Sequence, residues 1–98
     1  MKIIFYITKI VIIYLFLFSN SIAAKSQFFD KGKELFEKKK FDKSKILFER
    51  DIVFNPKNEK SYLYLAKIFK KDDNDEQLEN NLNTVLVLNP QNDEAIYM

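Results

Sequence analysis

The sequence contains no cysteine, no histidine and no tryptophan. Without cysteine the chain can form neither a disulfide nor a thiolate, and it has no cysteine that could carry a lipid after a leader. With histidine absent as well, a zinc site would need an unusual set of carboxylate ligands alone. Histidine is also the usual general base near neutral pH. We therefore expect no metal site, no cofactor and no catalysis, and an enzyme is only a remote alternative to a binding or structural protein.

An excess of positive charge is also lacking once the N-terminal segment is set aside. The chain has 16 basic and 14 acidic side chains, and the whole excess lies in Lys2 and Lys9. The sequence from Lys25 onward is therefore neutral. A neutral domain has no bulk positive field to draw it to nucleic acid or to an anionic membrane. We expect no nucleic-acid partner.

The first 24 residues have the order of a secretory signal peptide. Lys2 and Lys9 supply positive charge, Ile10–Phe18 is wholly apolar or aromatic, and small residues end at Ala24. The apolar run is shorter than the roughly 20 residues that a spanning helix needs. We expect cleavage after Ala24 and export to the periplasm or the cell exterior. The alternative is an uncleaved inner-membrane anchor, with Lys9 reaching the interface; contact with a membrane is expected through this leader only.

From Lys25 onward the sequence repeats itself after 34 residues, so that Asn55-Pro56 returns as Asn89-Pro90. Apolar and small residues recur in the same register: Phe28 as Tyr62, Gly32 as Ala66, Leu35 as Phe69, Phe48 as Leu82 and Ile52 as Leu86. A fixed period of this length, closed by a proline that cannot continue a helix, is typical of stacked helical hairpins. We predict helices near residues 26–38, 42–54, 59–71 and 75–88, and a leader helix that packs on nothing.

The repeated residues resemble the tetratricopeptide repeat (TPR) family. The matching residues are Phe28, Gly32, Leu35, Phe41, Ser44, Phe48 and Pro56 in the first unit, and Tyr62, Leu65, Ala66, Phe69 and Pro90 in the second. The resemblance implies an all-α, TPR-like solenoid of α-helical hairpins, with repeat 1 over residues 25–58 and repeat 2 over 59–92. Residues 93–98 match the truncated start of a third repeat, with Ile96 in the place of Phe28 and Tyr62.

Some residues depart from the family's pattern. Lys31 stands where the family has leucine, and Asp51 stands where a small alanine packs between helices. We expect Asp51 to be partly buried, so that repeat 1 packs imperfectly unless a lysine or arginine covers the carboxylate. Gly32, the only glycine, is expected to let a neighbouring helix approach closely. The acidic run Asp72–Asp75 is expected to be a capped turn, because a calcium loop would need a glycine and a distal glutamate that are absent.

The resemblance also implies a binding groove, since the first helices of such hairpins line a concave surface that holds peptides or partner helices. The implied groove residues are Ser26, Phe29, Lys33, Phe36 and Glu37 from repeat 1, and Lys60, Leu63, Lys67, Lys70 and Lys71 from repeat 2. The lysines of the second set also share one side of a helix by spacing alone. Neighbouring like charges repel, so an acidic partner would relieve them.

We therefore expect a non-catalytic protein–protein interaction module whose partner is an acidic peptide or helix. One alternative is that the lysines are ordinary solvated surface. Another is a purely structural N-terminal fragment of a longer repeat array, without a site of its own. Because the last complete helix meets only six further residues, we also expect an uncapped end prone to self-association through Leu82, Val85, Leu86 and Leu88.

Overall fold

The computed structural model describes residues 27–98, and every regular element in this part of the chain is an α-helix. Helix α1 spans residues 27–37; the others are α2 (Phe41–Phe54), α3 (Glu59–Lys71), α4 (Asp75–Leu88) and the short α5 (Asp93–Ile96). The four helices predicted from the repeat are confirmed, whereas the expected leader helix and cleavage point lie outside the described residues. None of the helices within 27–98 has the length and apolar character of a transmembrane span.

The backbone hydrogen bonds repeat with the same 34-residue period as the sequence. In each turn within a hairpin one residue has a left-handed conformation, Lys39 with φ 61° and Asp73 with φ 55°. The N–H of the following residue donates to a carbonyl of the preceding helix at 2.9 Å in both turns. At the ends of α2 and α4, Asn55 and Asn89 each donate at 2.7 Å to the carbonyl four residues back. This doubled geometry is compatible with a helical-repeat fold.

The larger core cluster joins the first hairpin to α3. Its buried members are Phe48, Leu65, Ile68 and Phe69. A Cβ atom at Gly32 would lie only 3.0 Å from the Phe48 ring, and the Ser44 hydroxyl donates to the Gly32 carbonyl at 2.8 Å. The expectation that Gly32 lets another helix approach is therefore confirmed, with α2 as that helix.

A second, smaller core cluster lies between α3, α4 and α5. Leu63, Val85 and Ala95 are buried in it, and Met98 packs against them. Val85, expected at an open end, is fully buried. The expected apolar position of α5 is displaced by one residue, because Ala95 is buried while Ile96 is 51% exposed.

The buried carboxylate of Asp51 is satisfied without a lysine or arginine. Asp51 is 2% exposed, and it accepts hydrogen bonds from the Ser61 hydroxyl at 2.5 Å and the Asn58 amide at 2.8 Å. The expected imperfect packing is therefore wrong: no buried side-chain nitrogen or oxygen in the described residues lacks a partner. The positions 34 residues after Asp51 and Ser61 hold Val85 and Ala95. One junction between successive units is thus polar and the next is apolar.

Candidate functional site

Helix α3 carries its lysines on the side opposite to its buried residues. Leu65, Ala66 and Phe69 are buried in the core, which fixes the rotation of the helix. The lysine side chains of α3 are consequently exposed or half-buried; they are Lys60, Lys67, Lys70 and Lys71. Lys70 and Lys71 lie in the last turn of α3, where cations interact favourably with the negative end of the helix dipole.

Two neighbouring clefts lie along this side of α3. The larger, cleft I, has a volume of about 530 Å³. Its lining residues are Phe36, Lys67, Lys70, Lys71, Glu94, Tyr97 and Met98. The smaller, cleft II, has a volume of about 290 Å³. Its lining residues are Phe29, Lys33, Glu59, Lys60, Leu63, Tyr64, Lys67, Asn92 and Glu94.

The structure brings together the eight residues that the sequence placed in a groove and that lie in its described part with a cleft beside them. Phe36, Lys70 and Lys71 belong to cleft I, and Lys67 belongs to both clefts. The remaining members line cleft II: Phe29, Lys33, Lys60 and Leu63. Glu37 lines neither cleft, and Ser26 lies outside the described residues.

Leu63 has a different environment from that of an exposed contact residue. It is only 7% exposed, because it packs in the cluster with Val85 and Ala95. Leu63 therefore forms part of the floor of cleft II, and the lysines form the accessible rim. The sequence pattern placed Leu63 on the lysine side correctly but could not show that α5 covers it.

Tyr64 is the central aromatic residue of this surface, and the sequence analysis missed it. Its ring stacks on Phe48 with centroids 4.8 Å apart and an interplanar angle of 7°, and it meets Phe36 edge-on at 5.0 Å. The ammonium group of Lys67 lies 5.2 Å from the Tyr64 ring centroid, within the range of a cation–π interaction. Its spacing, four residues after Lys60 and three before Lys67, could have placed it on the lysine side.

The charges of the two clefts are only partly compensated. Lys67 Nζ lies 2.7 Å from Glu94 Oε2, and it is the only α3 lysine in an ion pair among the described residues. Lys71 Nζ lies 4.8 Å from the centroid of the Phe41 ring. Cleft I therefore combines ammonium groups with the apolar surfaces of Phe36 and Met98, a combination suited to a carboxylate beside an apolar group.

Two other features of the described residues offer no comparable site. The acidic turn caps α4, since the Asn74 side chain accepts a hydrogen bond from the Gln77 N–H at 3.2 Å, as expected. No three carboxylates of residues 27–98 are grouped so as to hold a metal ion. A third cleft of about 390 Å³ beside α1 contains Lys31 and Glu34, but these charges compensate each other. The hydrogen bond from Lys38 and the charge of Lys31 hold the pKa of Glu34 below its ordinary value.

No known protein-family model matches the chain, and no match was found among curated proteins. The fold and its repeated turns define an all-helical protein of short paired helices, compatible with a helical-repeat architecture. Any narrower assignment depends on the residues themselves and on their 34-residue period.

Proposed function

We propose that the chain is an exported, non-catalytic interaction module of the tetratricopeptide type, which binds an acidic peptide segment along α3. The observation that carries the proposal is cleft I, where Lys67, Lys70 and Lys71 lie beside the apolar surface of Phe36 and Met98. The doubled turn geometry supports the assignment to this repeat type, because the family's solenoid repeats a hairpin at this period.

The chemistry of the clefts favours a carboxylate-bearing peptide over other anions. Lysine ammonium groups bind carboxylates through charge-assisted hydrogen bonds, and the adjacent apolar wall accepts an aliphatic or aromatic side chain. A polynucleotide would need a more extended positive surface, and the chain from Lys25 onward is neutral. The partner is therefore a protein segment in which acidic residues flank an apolar one.

Export is the second part of the proposal. It is supported by the order of charged, apolar and small residues that ends at Ala24. We expect the mature protein to begin at Lys25, which N-terminal sequencing of the protein from fractionated cells would test. Recovery of a product that retains Met1 in the membrane fraction would instead favour the anchored form.

A binding experiment with a matched control tests the groove. Fluorescence anisotropy would measure the affinity of the purified protein for a labelled peptide of four glutamates around one phenylalanine, amidated at its C-terminus. Lys67→Ala/Lys70→Ala should weaken binding about tenfold, at about 0.7 kcal/mol for each lost charge pair. Lys43→Ala/Lys57→Ala removes the same charge from exposed residues that line neither cleft, and should change affinity less than twofold. Equal losses in both variants would contradict a defined site.

A further inference from the structure

The ion pair between Lys67 and Glu94 lies where the two clefts meet. Both residues line both clefts, and their charged atoms are 2.7 Å apart. The pair therefore separates a surface that would otherwise continue along α3 from cleft II into cleft I. A peptide that follows the whole surface must pass this point.

The two partners of the ion pair are held with unequal firmness. The Lys67 side chain is 31% exposed, whereas that of Glu94 is 64% exposed. Lys67 lies against the Tyr64 ring, which itself stacks on the fully buried Phe48. Glu94 belongs to a helix of four residues, whose Ile96 is 51% exposed. The cation is therefore fixed by the core, and the carboxylate is the partner free to move away.

We infer that Glu94 is an internal competitor, which holds on Lys67 the place that a carboxylate of the partner peptide takes on binding. The inference rests on the proposed function and adds its regulation. Binding exchanges one carboxylate for another on the same ammonium group and joins clefts I and II into one groove. A peptide without an acidic side chain cannot make this exchange, so the pair also contributes to selectivity.

The strength of this internal competition is modest. A pair with one largely exposed partner contributes little free energy in water, and removing such a competitor should raise affinity about two- to fivefold. The gain should require Lys67, because Glu94 acts only through that ammonium group. It should also shrink at high salt, which screens the exposed pair.

The test compares Glu94→Gln with Glu79→Gln in the anisotropy experiment described above. Both variants remove one negative charge, and Glu79 is an exposed residue of α4 that lines neither cleft. Glu94→Gln should bind the peptide two- to fivefold more tightly than the parent, and Glu79→Gln should bind it equally well. In a Lys67→Gln background the gain from Glu94→Gln should vanish, which identifies the coupled pair.

Each result separates this inference from the function on which it rests. If the parent protein binds the peptide but Glu94→Gln brings no gain, or Glu79→Gln brings the same gain, the internal competition is refuted and the groove remains. Binding by Glu94→Gln alone would support a groove that Glu94 closes more strongly. If neither protein binds the peptide, both the proposed function and the competition are wrong. Circular dichroism would verify that each variant keeps the helical content of the parent.

Discussion

Ser61 donates a hydrogen bond of 2.5 Å to the carboxylate of Asp51, and both residues are buried. The bond joins α2 of the first unit to α3 of the second. In the next junction the equivalent residues are Val85 and Ala95, which meet in an apolar cluster. Removing one member of a buried polar pair leaves the other without its partner, whereas replacing both can be nearly neutral. The two junctions thus give two solutions to the same packing position.

Ser61→Ala should lower the free energy of unfolding by about 1–3 kcal/mol, because Asp51 loses a buried hydrogen bond. The double variant Asp51→Val/Ser61→Ala should recover most of that loss, since it recreates the Val85–Ala95 combination. The midpoint of urea unfolding measures both effects. A double variant less stable than Ser61→Ala alone would show that the first junction cannot accept the apolar solution.

Gly32→Ala should destabilise the protein although alanine favours helix. The alanine Cβ would meet three ring carbons of Phe48 at 3.0 to 3.2 Å, and Phe48 is fully buried. We expect a loss of about 1 kcal/mol or more, since overpacking outweighs the gain of about 1 kcal/mol in helix propensity. Combining Gly32→Ala with Phe48→Leu should cost less than the sum of the single changes. Strict additivity in thermal unfolding would argue against this contact.

Lys39→Gly and Asp73→Gly should each stabilise the protein. Both residues have left-handed backbone conformations, which glycine adopts without the penalty of about 1 kcal/mol paid by other residues. The gains should add, because the two turns lie in different units. Lys40→Gly is the control, since Lys40 has φ −91° and should gain nothing. Melting temperatures measured by circular dichroism would test all three variants.

The helices were predictable from the sequence because their ends are set locally. Asn-Pro closes each unit, and the 34-residue period repeats the apolar faces, so the ends of α3 and α4 match the predicted bounds. The face of α3 that carries the lysines was predictable for the same reason. Periodicity identifies which residues share one side of a helix.

Periodicity does not identify which residues meet across two helices, and the features missed are all of that kind. The partner of Asp51 is Ser61, ten positions further along the chain, and the partner of Lys67 is Glu94 in α5. Both pairs depend on how successive units stack. The burial of Ala95 in place of Ile96 has the same cause, because the angle of α5 against α4 decides which of its residues faces the core.

The central claim is that an acidic peptide binds along α3 between clefts I and II. The most direct test is a titration of the ¹⁵N-labelled protein with the glutamate–phenylalanine peptide, followed by backbone amide chemical shifts. We predict that the shifts concentrate at Phe36, Lys67, Lys70 and Met98, while the exposed Val53 of α2 stays unchanged. Shifts spread over exposed lysines of every helix, or centred on residues outside the two clefts, would contradict the account.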